Sequence, residues 1–204
     1  MEKEKIKAML VLDSKLSKKD IFYDARKAIL GGIPSIQYRE KEKSTKEMLE
    51  ECIALKKICA EKALFFVNDR ADLAFAVGTD GLHLGQDDLP MKKAREILPN
   101  AIIGVTVHNA QEAVQAEKDS ADYVSVSPVF RTGTKKDAGK EVGLKMIRKV
   151  RDAVKIPVMG IGGINQENAR EVIQSGADCV SVVSCIVCND NVFKASKLLM
   201  RALK

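Results

Sequence analysis

The stretch "QYREK" sets an amide and two cations on alternate residues, Gln37, Arg39 and Lys41. Alternate side chains of an extended chain share a face, so these three reach toward one place. Carboxylates occur in "VNDRAD", with Asn68 and Asp69, and in "GQDDLP", with Asp87 and Asp88. Two carboxylates from neighbouring strand ends can hold one Mg2+, which favours a few carboxylates plus the phosphate oxygens of a substrate. Arg39, Lys41 and a loop lysine could surround the same diphosphate. "TVHN" adds Thr106 and His108. In "GIGGIN", Gly160, Gly162 and Gly163 allow close backbone approach, and amides in "VVSC" lie near Val183 and Ser184. Glycines and free amides of this kind suit a second, separate phosphate. One metal-bound diphosphate and one separate phosphate suggest diphosphate displacement between two phosphorylated substrates.

All these residues fall where short apolar runs end. The strand candidates are "KAMLVLD", "SIQYR", "LFFV", "GLHL", "IIGVTV", "YVSVSP", "PVMGIG" and "CVSVVS", with helical patterns between them. In the second helical pattern Ser44 and Glu47 have capping-box spacing, and Met48, Cys52, Leu55 and Cys59 follow on one face. Strict alternation implies parallel strands with helical crossovers, and eight units predict one compact (β/α)8 TIM barrel over residues 1–204.

A repeat supports this. "GIPSIQY", "GTDGLHL", "SADYVSV" and "GADCVSV" each begin with a small residue and end in alternating apolar and polar positions. They open strands two, four, six and eight. The small residue suits a helix C-terminal cap with positive φ. Gln37, His83, Ser125 and Ser181 share one slot and should face the barrel interior. Arg39, Gly85, Ser127 and Val183 should face inward again, nearer the C-terminal rim. Barrel enzymes keep their sites at that rim.

Each feature also has a plainer use. Asn68 or Asp69 can cap the third helix, and Asp88 can precede a helix that opens at Pro90. The three glycines can form a tight turn. His83 reads as a hydrogen-bonded core histidine, whereas His108 can serve either as a cap or in a site. The loop "FRTGTKKDAGKEVG", residues 130–143, can be an idle linker, a basic patch or a lid. Its position after strand six favours a lid hinged at Gly133 and Gly139, with Lys136 and Lys140 facing solvent.

Composition narrows the function classes. Net charge is +6, but the lysines are dispersed and aromatics make up only 4% with no Trp, which argues against a single-stranded nucleic-acid platform. No apolar run approaches the ~20 residues of a membrane span, and the N-terminal run reads as a first strand and not a signal peptide. Five cysteines lie in helix- or strand-like patterns, which predicts free thiols and a reducing cytoplasm. The sequence leaves the oligomeric state open.

Taken in order, "QYREK", "FFVNDRADLA", "DGLHLGQDDLP", "IGVTVHN", "SPVFRTGTKKD", "GIGGI" and "GADCVSVVS" resemble the thiamine-phosphate synthase (thiamine-phosphate pyrophosphorylase) family over essentially the whole chain. The resemblance implies a transferase joining hydroxymethylpyrimidine diphosphate to thiazole phosphate. It also implies roles. Gln37, Arg39, Lys41, Asn68, Thr106 and Lys135 would hold the pyrimidine diphosphate, with Arg39, Lys41 and Lys135 neutralising the leaving group. Asp69 and Asp88 would bind Mg2+. Thr132, Thr134, Gly163, Val183 and Ser184 would hold the thiazole phosphate. The chain departs from the family pattern at Thr106, commonly serine, Ser127, commonly glycine, and Arg131, commonly proline. Arg131 can add a phosphate contact or be solvated. The alternatives are a thiazole tautomerase-like paralogue on the same barrel and a non-catalytic phosphate-ligand binder.

Overall fold

The computed structural model describes residues 6–134 and 139–204. Eight parallel strands close into a barrel in chain order: β1 (Ala8–Asp13), β2 (Ser35–Arg39), β3 (Leu64–Asn68), β4 (Gly81–Leu84), β5 (Ile102–Val107), β6 (Tyr123–Val126), β7 (Val158–Ile161) and β8 (Cys179–Val182). Outside them run α1 (Ile21–Leu30), α2 (Thr45–Cys59), α3 (Ala71–Val77), α4 (Met91–Ile97), α5 (Ala110–Lys118), α6 (Leu144–Ala153), α7 (Ala169–Gln174), α8 (Ser184–Val187) and α9 (Val192–Ala202). This is the (β/α)8 barrel that the alternating pattern predicts. Two runs end two residues earlier than expected. The chain leaves β6 at Ser127, before Pro128, which has no amide to donate to a ladder. It leaves β8 at Val183 because Ser184 already begins α8. That four-residue helix is too short for periodicity to register.

Helix α2 forms as its sequence predicts. The Ser44 side chain accepts from the Glu47 amide, and the Glu47 carboxylate accepts from the Ser44 amide. Its buried residues are Met48, Cys52, Leu55 and Cys59.

The repeated corners have a common physical cause. Gly32, Gly78, Ser120 and Gly176 all have φ between 66° and 104°. Three glycines enter the left-handed region without steric cost, whereas Ser120 enters it despite a Cβ. Two residues later, Asp80, Asp122 and Asp178 each accept an amide of the preceding strand, from Phe65, Ile103 and Val158 at 2.8–2.9 Å. Pro34 has no such side chain; its carbonyl accepts the Leu64 amide of the following strand, β3, at 2.9 Å, as the Asp80 carbonyl accepts the Ile102 amide of β5 at 3.0 Å. The corner therefore does two jobs: it ends a helix, and it sets the register of the next strand against the last.

The strands bury both faces. Outward residues such as Ile36, Leu82, Val124 and Val180 pack under the helices in one continuous core. Inside the barrel, the N-terminal end is filled by Met9, Phe66, Ile102, Tyr123, Met159 and Cys179. Glycine makes room for the two rings. A Cβ at Gly104 would lie 2.0 Å from Tyr123 Cζ, and one at Gly81 would lie 2.2 Å from Phe66 Cε1. Toward the C-terminal end the inward residues become polar: Gln37, His83 and Ser181, then Asp13, Arg39 and Asn68. An apolar floor and a polar mouth follow directly from where each strand's polar residues fall.

All five cysteines are free thiols, three of them buried. Among the described residues no helix is long and apolar enough to cross a membrane.

Candidate active site

The polar mouth opens into a cavity of about 500 Å³ at the C-terminal end of the strands. Gln37, Arg39, Lys41, Asn68, Asp69, Asp88, Thr106, Thr132, Thr134, Gly163, Val183 and Ser184 all line it. Arg39, Gly85, Ser127 and Val183, placed inward by register alone, line it as well. Lys135 and Lys136 lie outside the described residues, so the structure gives no position for either. Lys140 is exposed, as expected.

The two rim cations are held by carboxylates. Arg39 Nη1 is 2.9 Å from Asp13 Oδ2, and both side chains are largely buried. Lys41 Nζ pairs with Asp69 Oδ2. The backbone that presents Lys41 is clamped by Glu40, whose Oε1 accepts the amides of Lys41 and Glu42 at 2.8 and 2.9 Å. Burial pushes the Glu40 carboxyl up, but the Ser14 hydroxyl, these two amides and Lys43 outweigh it and hold it below the ordinary range.

The carboxylates form a pair across the ends of β3 and β4. Asp69 has φ 64°, and its amide donates to the His83 carbonyl at 2.8 Å. Asp tolerates this left-handed conformation better than most residues, and strain of this kind is characteristic of functional sites. Asp88 Oδ2 accepts the Gly85 amide at 2.6 Å. Burial raises the Asp88 pKa, and the adjoining Asp69 carboxyl raises it further. Two carboxyl groups pressed together in a partly buried place repel unless a proton or a cation lies between them. Among the described residues no group of three or more His, Cys, Asp or Glu side chains forms a metal cage. A cation here would have two protein carboxylates and would depend on a ligand for further oxygens, the coordination that suits Mg2+.

The opposite wall is mostly backbone. Gly162 and Gly163 have φ of 101° and 65°. A Cβ on Gly163 would lie 2.7 Å from the Arg131 carbonyl, and one on Gly162 would lie 2.6 Å from Pro128 Cβ. The amides of Val129 and Phe130 bond the carbonyls of Ile161 and Gly162 at 2.8 and 3.0 Å. The glycines thus seat the start of the loop after β6, bringing Thr132 and Thr134 to the cavity. Gly160 serves differently, since a Cβ there would strike Val172 of α7. Val183 caps α8, and the first amides of a helix have no intrahelical acceptor.

Several plainer uses are settled by the geometry. Neither Asn68 nor Asp69 caps α3; its N-cap is Arg70, with no side-chain cap bond. Asp88 bonds Gly85 and caps no helix, and Pro90 is the N-cap of α4, one residue before its first turn. Asn109 caps α5, and His108 pairs with Glu112 while lining the cavity. Arg131 is exposed. His83 is a buried, hydrogen-bonded histidine, 2.9 Å from the Tyr123 hydroxyl and 2.8 Å from Thr106 Oγ1.

The sequence reading missed Asp13, Gln86 and Tyr123. Asp13 ends the first apolar run, so the rule that picked the other strand ends applies to it as well. Gln86 donates to the Thr106 carbonyl at 2.6 Å, tying the loop after β4 across β5. Tyr123 stands two residues before Ser125, in the inward register.

A thiamine monophosphate synthase family model matches residues 8–186. The chain is 53% identical over 189 residues to a thiamine-phosphate synthase of Methanosarcina mazei, covering 92% of this chain and 79% of that protein. It is 50% identical over 196 residues to one of Methanosarcina barkeri, covering 96% and 89%. Among solved structures, a thiamine phosphate pyrophosphorylase from Pyrococcus furiosus superposes with a TM-score of 0.92 at 42% identity, covering 98% of this chain and 96% of that one.

Proposed function

The chain belongs to the thiamine monophosphate synthase family, and from that membership we propose how its barrel mouth joins two phosphorylated substrates. The protein is a transferase with thiamine-phosphate synthase activity. The reaction joins hydroxymethylpyrimidine diphosphate to thiazole phosphate, giving thiamine phosphate and diphosphate. The methylene carbon–oxygen bond breaks, its electron pair leaves with diphosphate, and the thiazole nitrogen supplies the pair for the new carbon–nitrogen bond. The aminopyrimidine ring stabilises the positive charge between these events.

One observation carries the reading: Arg39 and Lys41 stand beside the Asp69–Asp88 pair at one end of a cavity whose other end is glycine-lined backbone. Arg39, held at Nη1 by Asp13, turns its other N–H groups to the diphosphate, Lys41 exchanges Asp69 for diphosphate oxygens, and both neutralise the charge that develops on departure. Lys135 would add a third cation from the loop. Asp69 and Asp88 would hold Mg2+, which would supply positive charge to the leaving diphosphate. Gln37 and Asn68 orient the pyrimidine end, and Thr106 bonds the diphosphate. Thr132, Thr134 and the amides near Gly163, Val183 and Ser184 take the thiazole phosphate. The described start of the loop after β6, Thr132 and Thr134, lines the cavity, and a loop closed over both substrates would keep water from the cationic carbon. No protein nucleophile is required, and Cys52, Cys59, Cys179 and Cys185 have thiols that burial pushes up, away from thiolate character. Free thiols throughout fit a reducing cytoplasm.

The decisive experiment measures diphosphate and thiamine phosphate formation with each substrate alone and with both, with and without Mg2+. Release of diphosphate requiring both substrates and the metal is the expected result. Metal-independent isomerisation of a thiazole carboxylate phosphate, without condensation, would instead establish the tautomerase reaction, which the relatives do not favour.

A further inference from the structure

We infer that Tyr123, on the barrel floor, and His83, at the inner wall of the cavity, are positioning residues that make Thr106 a hydrogen-bond donor into the cavity, matched to a phosphate oxygen of the departing diphosphate. The inference rests on the proposed placement of the pyrimidine diphosphate at Thr106.

The argument begins at the floor of the barrel. Tyr123 is 3% exposed, and its ring fits against β5 because residue 104 is glycine. It stacks on His83 with centroids 5.6 Å apart and an interplanar angle of 26°. Burial, with Cys179 and Asp122 nearby, holds the phenol pKa well above its ordinary value, so the hydroxyl keeps its proton. Among the described residues that hydroxyl has one hydrogen-bond partner, His83 Nδ1 at 2.9 Å. A buried phenol hydrogen without an acceptor is costly. Tyr123 therefore donates, and Nδ1 must be the unprotonated nitrogen.

The consequence passes through the ring. A neutral imidazole with a bare Nδ1 carries its proton on Nε2. Nε2 lies 2.8 Å from Thr106 Oγ1, so it donates to that oxygen. A threonine hydroxyl has one hydrogen and two lone pairs. With a lone pair engaged by His83, the hydrogen points elsewhere, and among the described residues no protein acceptor takes it. Thr106 lines the cavity, so the hydrogen is offered there. A phosphate oxygen, which only accepts, fits that offer; an N–H group does not. The opposite tautomer would strand the phenol hydrogen and turn Thr106 into an acceptor facing the anion. A tyrosine at the apolar floor thus sets the polarity of a hydroxyl at the mouth.

The chain has two histidines, His83 and His108, which makes the tautomer directly observable. Imidazole 15N NMR of the ligand-free protein, assigned with His108→Asn, should show His83 neutral with its proton on Nε2. A proton on Nδ1 would overturn the inference whatever the enzyme's reaction proves to be. In Tyr123→Phe the tautomer preference should weaken. In the same variant, kcat/KM for the pyrimidine diphosphate should fall about tenfold, with KM for thiazole phosphate unchanged. In a Thr106→Val background the Tyr123→Phe change should cost nothing further, because its target is gone. Equal losses in both backgrounds would reduce Tyr123 to a packing residue. If wild type made no thiamine phosphate, the reading of the reaction would fail while the NMR result still stood.

Discussion

Arg39 and Asp13 are register partners on adjacent strands, joined by a 2.9 Å ion pair inside the barrel mouth. A guanidinium is a planar fork, and a carboxylate that holds it also aims it. In Asp13→Ala the charge of Arg39 remains but its direction is lost. We expect kcat/KM for the pyrimidine diphosphate to fall about tenfold, with thiazole phosphate KM little changed. Arg39→Lys should not reproduce the wild type, since an ammonium lacks the fork. Steady-state kinetics with each substrate varied would settle both points.

Asp88 faces Asp69 where a divalent cation would relieve their repulsion. Asp88→Ala should lose metal-dependent turnover by on the order of 100-fold while unfolding at a temperature close to wild type. The checks are a Mg2+ titration of activity and a thermal melt. Full activity at ordinary Mg2+ would remove Asp88 from the metal site.

The same residue has a signature in stability. Its folded-state pKa is raised by burial and by Asp69. Below the unfolded value both states are protonated and the fold bears no penalty. As pH rises through the folded pKa, the stability contributed by the protonated form is lost. In chelator, the melting temperature of Asp88→Asn relative to wild type should therefore increase from about pH 4 upward and then level off. Carboxylates remote from Asp88 cancel in the difference. A constant difference across the range would mean that Asp88 is not perturbed.

Gly163 combines φ 65° with a Cβ direction that ends 2.7 Å from the Arg131 carbonyl. Gly163→Ala should cost about 1–3 kcal/mol of stability, combining a left-handed alanine with an unrelieved backbone contact. Because the displaced segment carries Thr132 and Thr134, KM for thiazole phosphate should rise more than KM for the pyrimidine diphosphate. Urea denaturation and the two KM values test this.

Much of the architecture was legible because its signals are local. The corner residues Gly32, Gly78, Ser120 and Gly176 act within a few positions of themselves, and so does the Ser44–Glu47 box. Period-two alternation then assigned Gln37, Arg39, Gly85, Ser127 and Val183 to the interior, where they line the cavity. The same alternation reaches Asp13 and Tyr123. Nothing local sets them apart, because a carboxylate ending an apolar run and a tyrosine opening a strand are ordinary in isolation.

The barrel, the inward register and most cavity-lining groups are written in local patterns, because helix caps and strand alternation depend on neighbours along the chain. Which of those groups meet is set by the fold in three dimensions. Arg39 finds Asp13 from 26 residues away, and Lys41 finds Asp69 from 28. His83 stands between Tyr123 and Thr106, which lie on the two strands that follow its own. Such partnerships arise from the stagger of strands around a closed barrel and from glycines that let a ring cross to its neighbour. Neither the stagger nor the crossing is written in the spacing of any single stretch.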